Sequence, residues 1–214
     1  MLEFGFLITT LLFLLFFYIT TGRNKRVLFV SFSWLIFIGV LALTGFFQNT
    51  NTVPPRFLVV LIGNIIFILL IFKMIKLQKF NFNYVLHIHT LRIPVEIVLY
   101  QLFLGKQVPK IMTFEGHNFD ILVGISAFVL FLIIHYSKFN IPKRVLVAWN
   151  ILGLLFLLNI VIIAILSAPL PIQQFSFEQP NIAVFHFPYV FLPSFIVPLV
   201  ILTHIISLKQ LAQK

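Results

Sequence analysis

Residues 87–100 read His87-Ile88-His89-Thr90-Leu91-Arg92-Ile93-Pro94-Val95-Glu96-Ile97-Val98-Leu99-Tyr100. A guanidinium, a carboxyl, two imidazoles and a phenol thus interrupt an apolar stretch. Arg92 and Glu96 are four residues apart, so on a helix they share a face and are able to pair. His89, three residues before Arg92, and Tyr100, four after Glu96, lie on that same face. Arg92 would hold an anionic group, and Glu96 would take up or release a proton. The same two residues also fit a buried ion pair that ties their helix into a bundle. Pro94 has no N–H to offer the carbonyl of Thr90, so a kink is expected beside the pair.

A second polar segment is Thr113-Phe114-Glu115-Gly116-His117-Asn118-Phe119-Asp120. Asn118 suits an N-cap, and Asp120 then falls in a first helical turn, where an acid complements the helix dipole. The alternative is a vestibule leading to Glu96, lined by Glu115, His117 and Asp120, with His186 at its rim. Those side chains could also hold a hard cation or zinc, although no established ligand spacing is met. His87, His89, His135 and His204 form a third pattern, four imidazoles expected at similar depth. They could ligate haem or a metal, but interfacial histidines need no ligand, and no cofactor is expected. Asn64, Ser126, Asn159 and Ser194 sit within apolar runs and are expected to hydrogen-bond neighbouring helices.

The elements that carry these groups follow from composition. Of 214 residues, 61% are hydrophobic and only 9% charged, against roughly 25% charged in a soluble domain. The mean hydropathy is +1.11. An ordinary soluble enzyme, a disordered chain and a nucleic-acid-binding module are excluded, so the expected solvent is the bilayer. A crossing helix needs about 20 mainly apolar residues. Seven such runs occur, at 4–21, 27–47, 56–75, 84–104, 118–136, 145–167 and 186–207. Leu11–Phe17 is apolar throughout and does not alternate as barrel strands do. The expected fold is therefore all-α and polytopic, one transmembrane domain over 1–214. No basic n-region or small-residue cleavage site precedes the first run, which is expected to stay as a span.

Charge sets the expected orientation. Arg23, Lys25, Arg26, Lys73, Lys76, Lys79, Lys138, Lys143, Arg144, Lys209 and Lys214 fall on one side of a seven-span path. Arg56, Lys106 and Lys110 fall on the other, and Arg92 lies inside the fourth run. Eleven against three places the N-terminus outside and the C-terminus in the cytoplasm. None of the five acids is cytoplasmic on this path: Glu3, Glu115 and Glu178 are in outer segments, Asp120 opens the fifth run and Glu96 is in the fourth. The net charge of +10 is thus an anchor for anionic lipid headgroups rather than a nucleic-acid footprint.

Several chemistries lack their residues. Cysteine is absent, which removes disulfides, thiolate metal sites and cysteine nucleophiles. The last run has no mid-membrane lysine for a retinal Schiff base, since Lys209 is at its edge. His186 and His204 are too far apart for the His-x-x-x-His pair of heptahelical zinc hydrolases. No Gly-x-Ser-x-Gly, Gly-rich phosphate loop or internal repeat occurs. The stretch 168–185 contains three prolines and is read either as a cover over the outer mouth or as a passive loop. Pro188, Pro193 and Pro198 should bend or break the last span.

Arg92-Ile93-Pro94-Val95-Glu96, Met112-Thr113-Phe114-Glu115-Gly116-His117-Asn118-Phe119-Asp120 and Ser167-Ala168-Pro169 resemble segments of a family of uncharacterised bacterial multi-pass membrane proteins. The likeness covers mainly the C-terminal two-thirds. It implies a bacterial inner-membrane protein and attaches no activity to it. The residues themselves suggest an outward-facing buried polar site built on Arg92 and Glu96, serving small-solute or proton-coupled transport or ligand sensing. A metal- or haem-dependent membrane enzyme using the histidines, and a structural subunit with an as yet unspecified protein partner, are the alternatives.

Overall fold

The computed structural model describes residues 1–50, 52–137 and 141–213. Lys138 and Lys214, two of the basic residues assigned to the cytoplasmic side, lie outside the described residues. The described chain is helical and contains no strand. Its elements are α1 (Leu2–Thr20), α2 (Lys25–Leu43), α3 (Leu58–Met74), α4 (Phe82–Thr90), α5 (Arg92–Leu104), α6 (Asp120–Tyr136), α7 (Lys143–Leu166) and α8 (Val197–Gln213). A π-helical turn, Leu192–Ile196, leads directly into α8.

Four of these stretches are long and apolar enough to cross a membrane: Leu2–Thr20, Lys25–Leu43, Lys143–Leu166 and Leu192–Gln213. Leu58–Met74 and Asp120–Tyr136 are equally apolar but shorter, at 17 residues each. Large apolar side chains cover the outside: Phe29, Phe32 and Ile36 on α2, Ile62, Ile65 and Leu69 on α3, and Leu152, Leu155 and Leu158 on α7 are all exposed. A soluble protein does not display a continuous apolar surface of this kind. The protein is built for an apolar solvent.

The stretch ending in α8 is the inner element. Over half of its apolar window is buried (56%), against 33% for α1 and α2 and 28% for α7. It packs on α3, α4 and α7, while α4 also packs on α1 and α6. The expected break near Pro94 is present at Leu91, the one residue between α4 and α5. In the last span, Pro198 has no N–H for the carbonyl of Ser194. That oxygen accepts from Trp34 Nε1 at 2.7 Å, and the Pro193 carbonyl accepts from Asn64 Nδ2 at 2.8 Å. Side chains of α2 and α3 thus repair the irregular backbone, which is how proline is accommodated where water is absent.

The helix ends separate into two sets. At one, Asn24 Nδ2 donates to Met74 O (3.1 Å), the Asn81 N–H donates to Thr20 O (3.0 Å), and Gln210 Nε2 donates to Phe80 O (3.0 Å). The α1–α2 turn, the α3–α4 linker and the end of α8 therefore meet. Gly22 in that turn has φ +71°, and a Cβ there would lie 2.8 Å from Lys79 Cβ, so glycine is required on both counts. At the other end, Ile182 and Ala183 donate N–H bonds to Gln107 O, and Asn181 Nδ2 bonds Ala164 O. The loops after α2, α5 and α7 gather there.

Candidate functional site

The polar centre starts where α4 breaks into α5. Arg92 is the first residue of α5 and Glu96 lies one turn further on, with 3% and 2% of their surfaces exposed. The expected Arg92–Glu96 pair does not form. Arg92 Nη2 pairs instead with Asp120 Oδ1. Asp120 opens α6 and is itself only 6% exposed. The reason is a close approach of α5 and α6 at Gly124, where a Cβ would lie 2.8 Å from Ile93 Cγ1 and 3.5 Å from Arg92 Cβ. With no side chain at 124, α6 comes close enough for its first residue to reach the guanidinium.

Glu96 is held by Asn118, whose Nδ2 donates to Oε1 at 2.8 Å, to Oε2 at 2.7 Å and to Met112 O at 3.0 Å. The other end of that amide, Oδ1, accepts the Asp120 N–H at 3.0 Å. The N-cap position expected for Asn118 belongs instead to Phe119, with the helix beginning at Asp120, and Asn118 accepts the first helical N–H from one residue earlier in the chain. One residue both starts α6 and clamps the acid of α5.

On its other side, Arg92 meets His204 of α8. Nη1 donates to His204 Nε2 at 3.4 Å, and His204 Nδ1 lies 2.9 Å from Asn150 Oδ1 on α7. Asn150 Nδ2 is committed to Leu146 O at 2.8 Å, so its Oδ1 faces the ring and accepts. This assigns the proton to Nδ1 and leaves Nε2 as the acceptor for Arg92, the neutral imidazole. His204 is also fixed sterically, since a Cβ at Gly153 would lie 2.5 Å from its Cε1 and 2.6 Å from its Nε2.

His89, at the end of α4, lies against His204 with ring centroids 4.0 Å apart, and Trp149 meets its ring edge-on at 5.1 Å. Thr203 Oγ1 donates to Val200 O at 2.9 Å. It therefore accepts from His89 Nε2 across 3.4 Å, and His89 Nδ1 is left as an unpartnered buried acceptor. Arg92 Nε is likewise unpartnered. Trp149 Nε1 donates to Ser126 Oγ at 2.9 Å, which joins α7 to α6. A continuous polar network thus links α4, α5, α6, α7 and α8.

The remaining sequence candidates are dispersed. Asp120 moves from the expected vestibule to the buried centre. Glu115 stays exposed, accepting from Tyr100 Oη at 3.0 Å and lying 3.5 Å from Lys110 Nζ. Tyr100 thus turns away from Arg92, stacking on Phe114 at 4.9 Å. His117 is exposed, and its carbonyl accepts from Asn159 Nδ2 at 2.8 Å. His186 is exposed on a different part of that end, 3.3 Å from Gln48 Nε2. The four histidines do not converge. His87 packs on Phe16 and Phe131, and exposed His135 stacks on Phe131 and meets Tyr136 edge-on. Only His89 and His204 meet, and His204 is fully buried rather than at a helix end. Among the described residues no group of three or more His, Asp or Glu is arranged to hold a metal ion.

Asn150, Thr203 and Trp149 belong to the centre and were not anticipated from sequence. The available signal was the run Trp149-Asn150 and the pair Thr203-His204 inside otherwise apolar helices. A polar residue there must find a partner on another helix.

The described residues are all-helical, with an apolar exterior, a charged, hydrogen-bonded centre and four stretches long and apolar enough to cross a membrane, which is consistent with a membrane protein. Residues 51–212 match the family described as a domain of unknown function (DUF8737), and the chain belongs to that family. No curated protein and no solved structure matches it.

Proposed function

We propose that this chain is a single seven-span domain over 1–214 and that its Arg92–Asp120–Glu96 cluster is a proton-binding site serving small-solute transport or ligand sensing. The support for seven spans is geometric. The two 17-residue helices each extend roughly 25 Å, close to the hydrocarbon thickness of about 30 Å, and α4 with α5 is longer. The orientation has the N-terminus outside. It is supported by the clustering of Arg23, Lys25, Arg26, Lys73, Lys76, Lys79 and Lys209 around the linked turns at one end. The resemblance to bacterial inner-membrane proteins supports a plasma-membrane location.

One observation carries the functional reading. Two buried carboxyls lie in this centre, Asp120 paired with Arg92 and Glu96 bonded only by the Asn118 amide, and the adjacent His204 is neutral by its hydrogen bonds. A second full negative charge is not tolerated at such a position without compensation. Glu96, which has no cation pairing with it, balances the cluster by carrying a proton. Release of that proton adds a charge to a network shared by five helices and hinged at Leu91, so proton binding is coupled to helix packing. Exposed Glu115 and His117, with half-buried Tyr100 bonded to Glu115, are proposed as the mouth through which a small solute approaches, and His186 as a contact on a separate part of the same end.

Infrared spectroscopy of the protein in lipid nanodiscs at neutral pH tests this. A protonated-carboxyl carbonyl band should be present and should vanish in Glu96→Gln while helicity is kept. An absent band, or one that persists in the variant, overturns the proton-site reading. The bonding of the centre across five helices also favours a second reading, a structural ion-pair network in an accessory subunit. In that case Glu96→Gln loses its fold rather than only its band.

A further inference from the structure

The end of the molecule away from the polar centre's mouth contains a separate cavity of about 350 Å³. Its walls come from the end of α3 and the linker after it (Phe72, Lys76, Gln78) and from the last turns of α8 (Ile206, Lys209, Gln213). Lys76, Gln78, Lys209 and Gln213 are exposed, whereas Ile206 is buried beneath them. Polar groups therefore rim an apolar floor. Lys209 Nζ lies 4.9 Å above the Phe72 ring, which holds the ammonium at the rim. Gln210 ties the two walls together through Phe80 O.

Among the described residues these lysines have no counter-charge. The ion pairs among the described residues are Arg92–Asp120 and Lys110–Glu115. All five acids lie on the far half or in the centre. Lysine near a helix C-terminus complements the dipole, but that accounts for one partial charge per helix and not for a cavity between two of them. Outside the cavity, α3 continues into the exposed apolar residues Ile66, Leu69 and Leu70. A ligand filling the site would present an anionic, hydrogen-bond-accepting head to Lys76, Lys209, Gln78 and Gln213. Its hydrocarbon would run along α3.

We propose that the cavity between the ends of α3 and α8 is a binding site for the phosphate headgroup of an anionic phospholipid. The lipid joins the α3–α4 linker to α8, and its binding does not depend on the chemistry of the Arg92 cluster.

Native mass spectrometry of the detergent-solubilised full chain, titrated with phosphatidylglycerol and with phosphatidylcholine, tests it. Each basic residue near an anionic headgroup contributes about 1 kcal/mol, so Lys76→Gln with Lys209→Gln should weaken phosphatidylglycerol binding roughly 30-fold. Lys25→Gln with Arg26→Gln removes the same charge from the same end outside the cavity and should leave binding within about threefold, since exposed charges that do not line the cavity act on the headgroup only through salt-screened solvent. Replacing Lys76 and Lys209 by arginine should retain binding. Equal loss in the two neutralised pairs, no loss in either, or no preference over phosphatidylcholine overturns the site. Inorganic phosphate that displaces the lipid at equal concentration assigns the cavity to free phosphate and overturns the lipid.

Discussion

Replacing Arg92 by methionine removes the cation from the buried pair and leaves Asp120, whose side chain is 8% exposed, with a carboxylate and no partner charge. Breaking a buried pair from one side costs about 3–5 kcal/mol. Asp120 is the first residue of α6, and the helix N-terminus returns about 0.5–2 kcal/mol to a partly buried anion there. His204 Nε2 also loses its donor, which adds about 0.6 kcal/mol, the average for a hydrogen bond between membrane helices. The expected net loss is about 3 kcal/mol. The Arg92→Met, Asp120→Leu double variant removes both charges and should lie within about 1 kcal/mol of the parent, because apolar replacement of a whole buried pair is close to neutral. Unfolding by dodecyl sulfate in lipid–detergent micelles, followed by helicity, measures both. A single variant that loses less than about 1 kcal/mol, or a double variant as unstable as the single, would refute the assignment of Arg92 to Asp120.

Three further outcomes are expected. Gly153→Ala drives a methyl into the His204 ring and should cost about 1–3 kcal/mol, with a change in the fluorescence of Trp149, whose ring lies 5.5 Å from that imidazole. Ser126→Ala removes the acceptor of Trp149 Nε1 but no charge. It should cost only about 0.6 kcal/mol in the same unfolding assay, well below Arg92→Met. Gln179 Nε2 donates to Phe103 O at 3.0 Å and to Val108 O at 2.6 Å, tying the 168–185 loop to the end of α5. Gln179→Ala should accelerate limited proteolysis within that loop without changing global stability by more than about 1.5 kcal/mol.

The helical class and the burial of Arg92 and Glu96 were legible in the sequence, because apolar runs and the cost of a charge inside them are properties of the chain alone. The same holds for Asn64 and Ser126, expected to reach neighbouring helices and found bonded to Pro193 O and Trp149 Nε1, whereas Asn159 bonds the His117 carbonyl in a turn and Ser194 Oγ has no partner among the described residues. The kink beside Pro94 was also legible, since the missing N–H is local. Less legible was the reach of the histidines. Their order along the chain suggested one depth, but His87 points to Phe131 on α6 while His89, two residues on, points to His204 on α8. A step of two residues on a helix turns a side chain through more than half a circle.

Sequence by itself determined that the chain is helical, where its long apolar runs lie, and that Arg92 and Glu96 would be buried among them. Those conclusions need only composition, hydropathy and the fixed geometry of a single helix. Partner choice was decided by tertiary structure alone. The i, i+4 spacing permits an Arg92–Glu96 bond, yet Gly124 lets α6 approach and deliver Asp120, while Asn118 takes Glu96. Gly153 seats His204 against the same guanidinium. Which of two nearby carboxylates wins a guanidinium depends on how closely the helix axes approach, and that distance is set by packing between segments far apart in the chain.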